Sequence, residues 1–326
     1  MIALLVLSPI GAELLSAYLG LFVDPVGLLI QLAIAIPLYG TAAILIRELT
    51  CRAGRGWPTM LLLSAAFGLI QAGLIDQGLF NPHYIDDPSW MADRQPTLIP
   101  ELDLSISYLV TFVGGHMLWS FGAPIAIVQA GAPRSAHRPW LGRFGLTVTF
   151  VAYLLSAALI FAEHTADKQF VLSPLQLGCT VAAVIVLVVT AFLIPRRSDR
   201  RPGRVPPPWL VGGAALLVAG VLTLAPPVWP GVIANIAALS LLGALLLVWS
   251  GREGWTGSHT LAAGSAPLAS NVLIAFTVAP EGVTDLTTKY VSNAIVAAAV
   301  LALLAWVWRR TRQAEAAGHG GNRDAR

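Results

Sequence analysis

Four polar side chains interrupt stretches of the chain that are otherwise apolar. Glu13, Gln71, His116 and Asn271 each lie inside a long apolar run. A carboxyl group and an imidazole can exchange a proton near neutral pH, and amides can donate and accept hydrogen bonds beside them. The set therefore has the chemistry of a site for a proton or a small ligand, provided that the fold brings its members together.

Composition indicates the surroundings of these residues. The chain has 326 residues, of which 56% are hydrophobic and only 11% are charged, whereas a soluble domain has about 25% charged residues. This deficit is typical of a chain that lies mostly in lipid. The net charge of +3 therefore does not indicate nucleic acid as a partner, and we expect none. The expected partners are the lipid bilayer and a small solute or lipid ligand.

Apolar runs of about 17–25 residues, long enough to cross a bilayer, recur along the chain. They predict an all-α, polytopic transmembrane bundle. The ten predicted helices are 3–22, 26–47, 58–76, 104–130, 144–163, 170–194, 208–226, 229–250, 260–279 and 290–308. No basic segment precedes the first run and Glu13 interrupts it, so it is predicted to be a retained helix rather than a signal peptide.

The basic residues predict how the helices are oriented. Of the 20 Lys and Arg residues, 17 lie in alternate connectors or at the adjoining helix end, and only Arg94, Lys168 and Lys289 lie in the other set. The positive-inside rule places the richer set, together with both termini, in the cytoplasm. Since 18 of the 20 are Arg, in a chain rich in Ala and Gly, the composition favours a GC-rich bacterial genome. We therefore expect a multi-pass protein of the bacterial inner membrane.

Two connectors depart from the short-loop pattern. The segment 196–207 is basic and rich in proline, and it divides the sequence into a six-helix unit, 1–195, and a four-helix unit, 208–308. A disordered basic tail is expected at 309–326. The long outer loop, 77–103, contains aromatic residues and prolines, which favour a packed cap.

Helix rise gives the depth of the polar residues, at about 1.5 Å per residue. Glu13 and Asn271 fall near the middle of their helices, and His116 falls roughly 18 Å below the outer end of its own. With Gln71, which lies nearer the outside, they form the predicted intramembrane polar site. The alternative is that each side chain only hydrogen-bonds a neighbouring helix, a contact worth about 0.6 kcal/mol on average.

A second polar set is expected beneath the outer loop. This predicted outer vestibule contains Asp76, Asn81, His83, Asp86 and Asp87. Within the loop sequence "NPHYIDD", His83 and the two adjacent acids could together supply metal ligands. Because adjacent acids on a loop are usually solvated, no metal site and no cofactor is predicted.

An ion pair is expected at the inner end of the second helix. Glu48 and Arg52 are spaced i,i+4 and would face each other on a helix. The pair is predicted to be structural, close to anionic headgroups. In the alternative, Glu48 would activate a water molecule.

Two stretches, 39–84 and 114–146, resemble an uncharacterised family of bacterial polytopic membrane proteins. They read "YGTAAILIRELTCRAGRGWPTMLLLSAAFGLIQAGLIDQGLFNPHY" and "GGHMLWSFGAPIAIV" followed by "RPWLGRFGL". The resemblance covers roughly residues 9–145. It implies a membrane protein and assigns no catalytic residue.

The same region has a fainter likeness to the CPBP family of intramembrane proteases. Their pattern is E-E-x-x-x-R, F-x-x-x-H and H-x-x-x-N, and the order is kept here at 48–52, 67–71 and 116–120. The sequence departs from the pattern at Arg47, Gln71 and Ser120, which stand where the family has Glu, His and Asn. The likeness implies intramembrane hydrolysis, with Glu48 as the group that activates water.

These observations lead to three expectations for function. The first is a polar intramembrane cavity that binds or transports a small solute, lipid or proton. The second is an intramembrane hydrolase of CPBP type or another lipid-modifying enzyme. The third is a membrane subunit without catalytic activity. The chain has no nucleotide-binding, zinc-protease or serine-hydrolase motif.

Overall fold

Helices make up most of the computed structural model, which describes residues 1–15, 25–196, 200–278 and 286–320. Ten long helical runs and one short helix occur within these residues. They are α1 (Ile2–Pro9, continued by Ile10–Leu14), α2 (Pro25–Ala35, Ile36–Gly40 and Thr41–Arg52), α3 (Trp57–Ile70 and Gln71–Ile75), α4 (Pro88–Arg94), α5 (Ile106–Gly115, His116–Gly122 and Ala123–Gly131), α6 (Arg143–Lys168), α7 (Pro174–Leu193), α8 (Pro208–Leu224), α9 (Trp229–Ser250), α10 (Gly257–Ile274) and α11 (Leu286–Gly320).

Each of the ten predicted spans overlaps one of the long runs. Among the described residues, seven helices are long and apolar enough to cross a membrane: Leu29–Arg52, Trp57–Ile75, Ile106–Gly131, Arg143–Lys168, Pro174–Leu193, Trp229–Ser250 and Leu286–Ala317. Two shorter apolar helices are Ile2–Glu13 and Pro208–Leu224. An all-α membrane bundle follows, while ten crossings and cytoplasmic termini stay predictions. The predicted spans 3–22 and 260–279 end outside the described residues.

The N-terminal helix α1 packs inside the bundle, beside α2, α3 and α5. It packs on α2 and α5, and its Leu4 and Ser8 are fully buried. Leu4 shares one apolar core with side chains of the other three helices, including Leu63 and Phe121. In contrast, α6 and α7 pack on the outside of α2 and α3 and expose large apolar side chains such as Leu155. Such exposed apolar surface is typical of contact with lipid.

Four of the inner helices contain a π-helical segment, in which backbone hydrogen bonds run from residue i to i+5. These segments are Ile10–Leu14, Ile36–Gly40, Gln71–Ile75 and His116–Gly122. Proline stands beside or inside three of them, as Pro9, Pro37 and Pro124. Because proline lacks an N–H group and crowds the carbonyl four residues earlier, it disturbs the regular α-helical ladder. Such segments often occur at functional sites.

The outer loop folds into a small packed cap. It contains α4 and two short antiparallel strands, β1 (Leu98–Ile99) and β2 (Leu104–Ser105), in which Leu98 pairs with Ser105. Arg94 is fully buried and donates hydrogen bonds to the carbonyls of Phe80, at 3.0 Å, and Asp103, at 2.6 Å. These bonds tie both ends of the loop to α4.

The C-terminal helices pack against the N-terminal ones through α10, which contacts α5, α8 and α11. The connector 196–207, which we call the joint, pairs with the turn after α9. Arg201 N donates to Gly251 O at 2.9 Å, and Glu253 N donates to Arg201 O at 3.1 Å. Residues 197–199 of the joint lie outside the described residues. The division into two units stays a prediction.

The C-terminal tail differs from the expectation of disorder. Helix α11 continues to Gly320, and 321–326 lie outside the described residues. Residues that favour helices, such as Ala, Glu, Gln and Arg, fill this segment. Glu315 accepts hydrogen bonds from the backbone N–H (2.8 Å) and the hydroxyl (2.9 Å) of Ser258, which ties the tail helix to α10.

Candidate functional site

Each π-helical segment supplies one polar side chain to a common region inside the bundle. The four are Glu13, Tyr39, Gln71 and His116. Tyr39 hydrogen-bonds Glu13 and stacks on His116, with 5.9 Å between ring centroids. Asp76, which directly follows the third segment, accepts a hydrogen bond from Gln71 Nε2 at 2.7 Å and interacts electrostatically with Glu13. We call these five residues the central cluster.

Close backbone approaches hold the segments together. The hydroxyl of Ser8 lies 3.0 Å from the carbonyl oxygen of Tyr39 and also hydrogen-bonds that of Ser120. The Ser120 carbonyl cannot receive the usual helical bond, since residue 124 is proline. A side chain at Gly11 would place its Cβ 2.4 Å from the carbonyl oxygen of Trp119. Glycine at this position therefore lets α1 reach α5.

The imidazole of His116 has one satisfied and one unsatisfied nitrogen. Its Nδ1 lies 2.7 Å from the carbonyl oxygen of Phe112, which can only accept, so Nδ1 carries the proton. In the neutral ring Nε2 is then a hydrogen-bond acceptor, yet it is buried and has no partner among the described residues. A buried polar atom without a partner is rare and costs free energy. The arrangement leaves a proton-accepting atom inside the bundle.

Two carboxyl groups of the cluster, those of Glu13 and Asp76, interact electrostatically. Glu13 and Asp76 are both half-buried. Burial and, secondarily, the negative charge of Glu13 raise the pKa of Asp76 to about 8, although the hydrogen bond from Gln71 acts in the opposite direction. Asp76 forms no ion pair with Lys or Arg among the described residues. Because their negative charges repel each other, the two carboxyl groups resist ionising together, which favours holding a proton.

Two further tyrosines border the cluster and were not predicted from the sequence. The hydroxyl of Tyr153, on α6, is buried without a hydrogen-bond partner among the described residues, and it lies within electrostatic range of Asp76. Tyr84, in the outer loop, stacks on His164 at 5.6 Å. Burial and the charges of Asp76 and Glu13 raise the pKa of Tyr84. The loop thus reaches down to the cluster.

The structure brings together some of the predicted residues and separates others. Glu13, Gln71 and His116 from the intramembrane set join Asp76 from the vestibule set. Asn271 is half-buried on α10 and forms no side-chain hydrogen bond with the other four. The contact between α10 and the fourth segment is made instead by Trp119, whose Nε1 donates to the carbonyl of Pro267 at 2.9 Å.

The remaining vestibule residues support the loop rather than the cluster. Asn81 is buried and accepts a hydrogen bond from the backbone N–H of His83 at 2.8 Å. Asp87 caps α4 by accepting from Ser89 N at 2.8 Å. His83, Asp86 and Asp87 are exposed. Within the described part of the chain, no group of three or more His, Cys, Asp or Glu side chains is placed to hold a metal ion.

The predicted ion pair between Glu48 and Arg52 is present, but Arg47 lies closer to Glu48 than Arg52 does. Glu48 is fully buried, lies 3.5 Å from Arg52 and is closer, at 2.9 Å, to Arg47. The Glu48 carboxylate also accepts from the backbone N–H of Trp140 at 2.7 Å and of Leu141 at 3.2 Å. The bonds from Trp140 and Leu141 tie the C-terminal end of α2 to the loop before α6.

This inner-face arrangement bears on the likeness to CPBP proteases. That pattern needs its glutamate, here Glu48, to act with the groups at Gln71 and His116. Arginines and backbone amides already occupy both oxygens of Glu48, while Gln71 bonds Asp76 and His116 bonds Phe112. The described residues therefore do not assemble that protease site.

Comparison with known proteins agrees with this picture of a membrane protein. A model described as an uncharacterized membrane protein family matches residues 2–316. The chain belongs to this family. No curated protein and no solved structure matches the chain. The family match covers all five residues of the central cluster and every helix described above up to residue 316.

Sequence reasoning missed Tyr39 and Ser8, which join the parts of the cluster. A tyrosine two residues after a proline within a long apolar run, as in "IPLYG" around Tyr39, is a signal that could have identified the first. Its phenol needs a partner when buried. Ser8 precedes Pro9 in a similar way, but nothing in the sequence indicates which distant carbonyls it contacts.

Proposed function

We propose that this membrane protein is a proton-coupled carrier. In this proposal, the central cluster binds a proton inside the bundle and couples its uptake and release to the binding and movement of a small polar solute. The observation that carries the proposal is the electrostatic interaction between the buried carboxyl groups of Asp76 and Glu13. Ionisable groups inside a membrane protein are costly and commonly mark proton relays or ion pathways.

The neighbours of the two carboxyl groups support a shared proton. Gln71 donates a hydrogen bond to Asp76, and Tyr39 hydrogen-bonds Glu13. Each bond stabilises a negatively charged form, while the repulsion between the two acids disfavours two negative charges. One proton held by either group, while the other is ionised, satisfies both conditions. The pair then titrates as a unit with two macroscopic pKa values.

His116 supplies a second acceptor close to this pair. Its Nε2 atom is unpartnered, and its ring stacks on the same Tyr39 that bonds Glu13. A proton leaving the acids can pass to the imidazole through Tyr39 or a water molecule. The distribution of protons between acids and imidazole would then depend on whether a solute occupies the region.

The other two candidate functions receive less support. Hydrolysis of the CPBP type needs a free carboxylate, and that of Glu48 is occupied by Arg47, Arg52 and backbone amides. A role as a subunit without transport activity does not account for a buried imidazole nitrogen that lacks a partner.

The experiment is solute-driven proton movement in vesicles. The purified protein is reconstituted with a pH-sensitive dye inside, and amines, amino acids, sugars and carboxylates are added outside in turn. We expect one solute class to change the internal pH, Asp76→Asn to abolish that change, and Asp86→Asn, which alters an exposed carboxyl of the outer loop, to preserve it. Solute uptake without proton movement, or equal proton movement in both variants, contradicts the proposal.

A further inference from the structure

A cavity of about 400 Å³ lies at the opposite end of the bundle from the outer loop. Its wall combines the turn before α3, the loop after α5, the end of α7 and the turn before α10. Three arginines line it, Arg55, Arg196 and Arg200, together with His137. None of its described lining residues is acidic. The described lining residues therefore concentrate positive charge in this cavity.

Arg55 is the most constrained of the three arginines. Its Nη2 donates to the carbonyl of Phe192, and its guanidinium carbon lies 5.8 Å from the Phe192 ring centroid. Its Nε and Nη1 atoms are buried and have no hydrogen-bond partner among the described residues. A half-buried guanidinium that pairs with no carboxylate among the described residues and has two unsatisfied nitrogens is suited to an anion from outside the protein.

Two further features favour an anion in this cavity. Arg200 donates a hydrogen bond to the carbonyl of Trp255, which fixes one more guanidinium at the wall. Helix α3 begins at Trp57, which also lines the cavity, so the positive end of that helix dipole lies at the same place. Backbone N–H groups at a helix N-terminus favour phosphate groups for the same reason.

We propose that this cavity binds a phosphate-bearing anion. Arginine pairs with phosphate through two parallel hydrogen bonds, and a volume of this size is in the usual range for small-molecule sites. The phosphate comes either from the headgroup of an anionic phospholipid or from a soluble phosphorylated molecule. The cavity contains no residue of the central cluster. A test of anion binding is therefore independent of a test of proton coupling.

The test measures thermal unfolding of the full-length protein with a defined anion. In detergent without anionic lipid, inorganic pyrophosphate is titrated against sodium chloride at matched ionic strength. In a second arm, the protein is placed in nanodiscs of phosphatidylcholine alone or with phosphatidylglycerol. A ligand that binds the folded state raises the unfolding temperature with concentration, which yields a dissociation constant.

We expect pyrophosphate to stabilise the wild-type protein beyond the effect of chloride. Arg55→Gln and Arg196→Gln should each raise the dissociation constant about tenfold, as expected for loss of one charge-assisted hydrogen bond. Arg143→Gln, an exposed arginine outside the cavity, is the matched control and should leave it unchanged. Because Arg196 is exposed, its variant tests the site even if Arg55→Gln fails to fold.

The two arms distinguish the source of the phosphate. Stabilisation by phosphatidylglycerol that prevents further stabilisation by pyrophosphate identifies a lipid headgroup, whereas stabilisation by pyrophosphate in both nanodiscs identifies a soluble ligand. Equal stabilisation by pyrophosphate and chloride in detergent, with no effect of phosphatidylglycerol, overturns the proposal. Equal anion binding by the wild type, Arg196→Gln and Arg143→Gln also overturns it.

Discussion

The imidazole of His116 stacks on the phenol ring of Tyr39, with 5.9 Å between ring centroids and 28° between ring planes. The two residues come from π-helical segments of different helices, α5 and α2. Through Tyr39, which hydrogen-bonds Glu13, the ring of His116 is linked to the carboxyl pair. This contact separates two roles for His116, since a packing role needs only the ring and a proton-accepting role needs its nitrogen.

Replacement of His116 by Phe separates these two roles. The variant keeps an aromatic ring and removes a buried nitrogen without a partner, so the free energy of unfolding should stay within about 1 kcal/mol of wild type or rise. The Phe112 carbonyl keeps its backbone bond from residue 116. Solute-driven proton movement should be lost. A strongly destabilised variant that retains full proton movement would show that His116 acts only in packing.

The raised pKa of Asp76 predicts how the stability of the protein depends on pH. Its pKa is about 8 in the folded protein and about 3.9 when unfolded, so the folded state binds more protons between these values. The stabilisation that results is complete below pH ~4 and is lost as the pH rises through about 8. Thermal unfolding from pH ~4 to 9 should therefore show wild type losing stability relative to Asp76→Asn. A constant difference between the two would refute the raised pKa.

Gly68 allows the close approach of α3 and the fourth π-helical segment. A side chain at this position would place its Cβ 2.7 Å from the Cβ of His116. Gly68→Ala should therefore destabilise the protein and impair proton movement, although alanine favours helices by about 1 kcal/mol over glycine. Gly178→Ala, on α7 with open space around it, is the control and should not destabilise. If Gly68→Ala behaves like the control, the packing at His116 is looser than described.

Glu48 and Arg47 form a buried pair at 2.9 Å. Glu48→Gln leaves the Arg47 charge buried without its carboxylate and should cost about 3–5 kcal/mol of unfolding free energy. Arg52→Gln removes a partially exposed partner at 3.5 Å and should cost about 1 kcal/mol or less. Chemical unfolding of the two variants measures both. Comparable costs would mean that Arg52, as the sequence predicts, is the main partner.

Hydropathy and helix rise predict much of the fold and part of the site. Apolar runs give the position of every long helix, because lipid requires about 20 apolar residues per crossing. The rise per residue places Glu13 and His116 at a similar depth, and both contact Tyr39. The spacing of Glu48 and Arg52 predicts their contact, which is present.

Other features depend on interactions that the spacing of residues does not encode. A π-helical segment changes the direction of every side chain that follows it, so regular helical periodicity does not predict that Asp76 interacts with Glu13. The sequence analysis assigned Asp76 to the outer vestibule because it lies at the outer end of the predicted helix 58–76. Likewise, neighbours i and i+1 do not face each other on a regular helix. The contact between Arg47 and Glu48 forms because both side chains bond the loop before α6.

The most direct test of proton binding by the central cluster is infrared spectroscopy of the carboxyl groups during a pH titration. A protonated carboxylic acid has its own carbonyl band, which disappears when the group ionises. For the protein in lipid, we predict such a band with a midpoint of about 8, present in Asp86→Asn and absent in Asp76→Asn. A spectrum in which all carboxyl groups ionise with the ordinary midpoint of about 4, or a band unchanged in Asp76→Asn, would contradict the account.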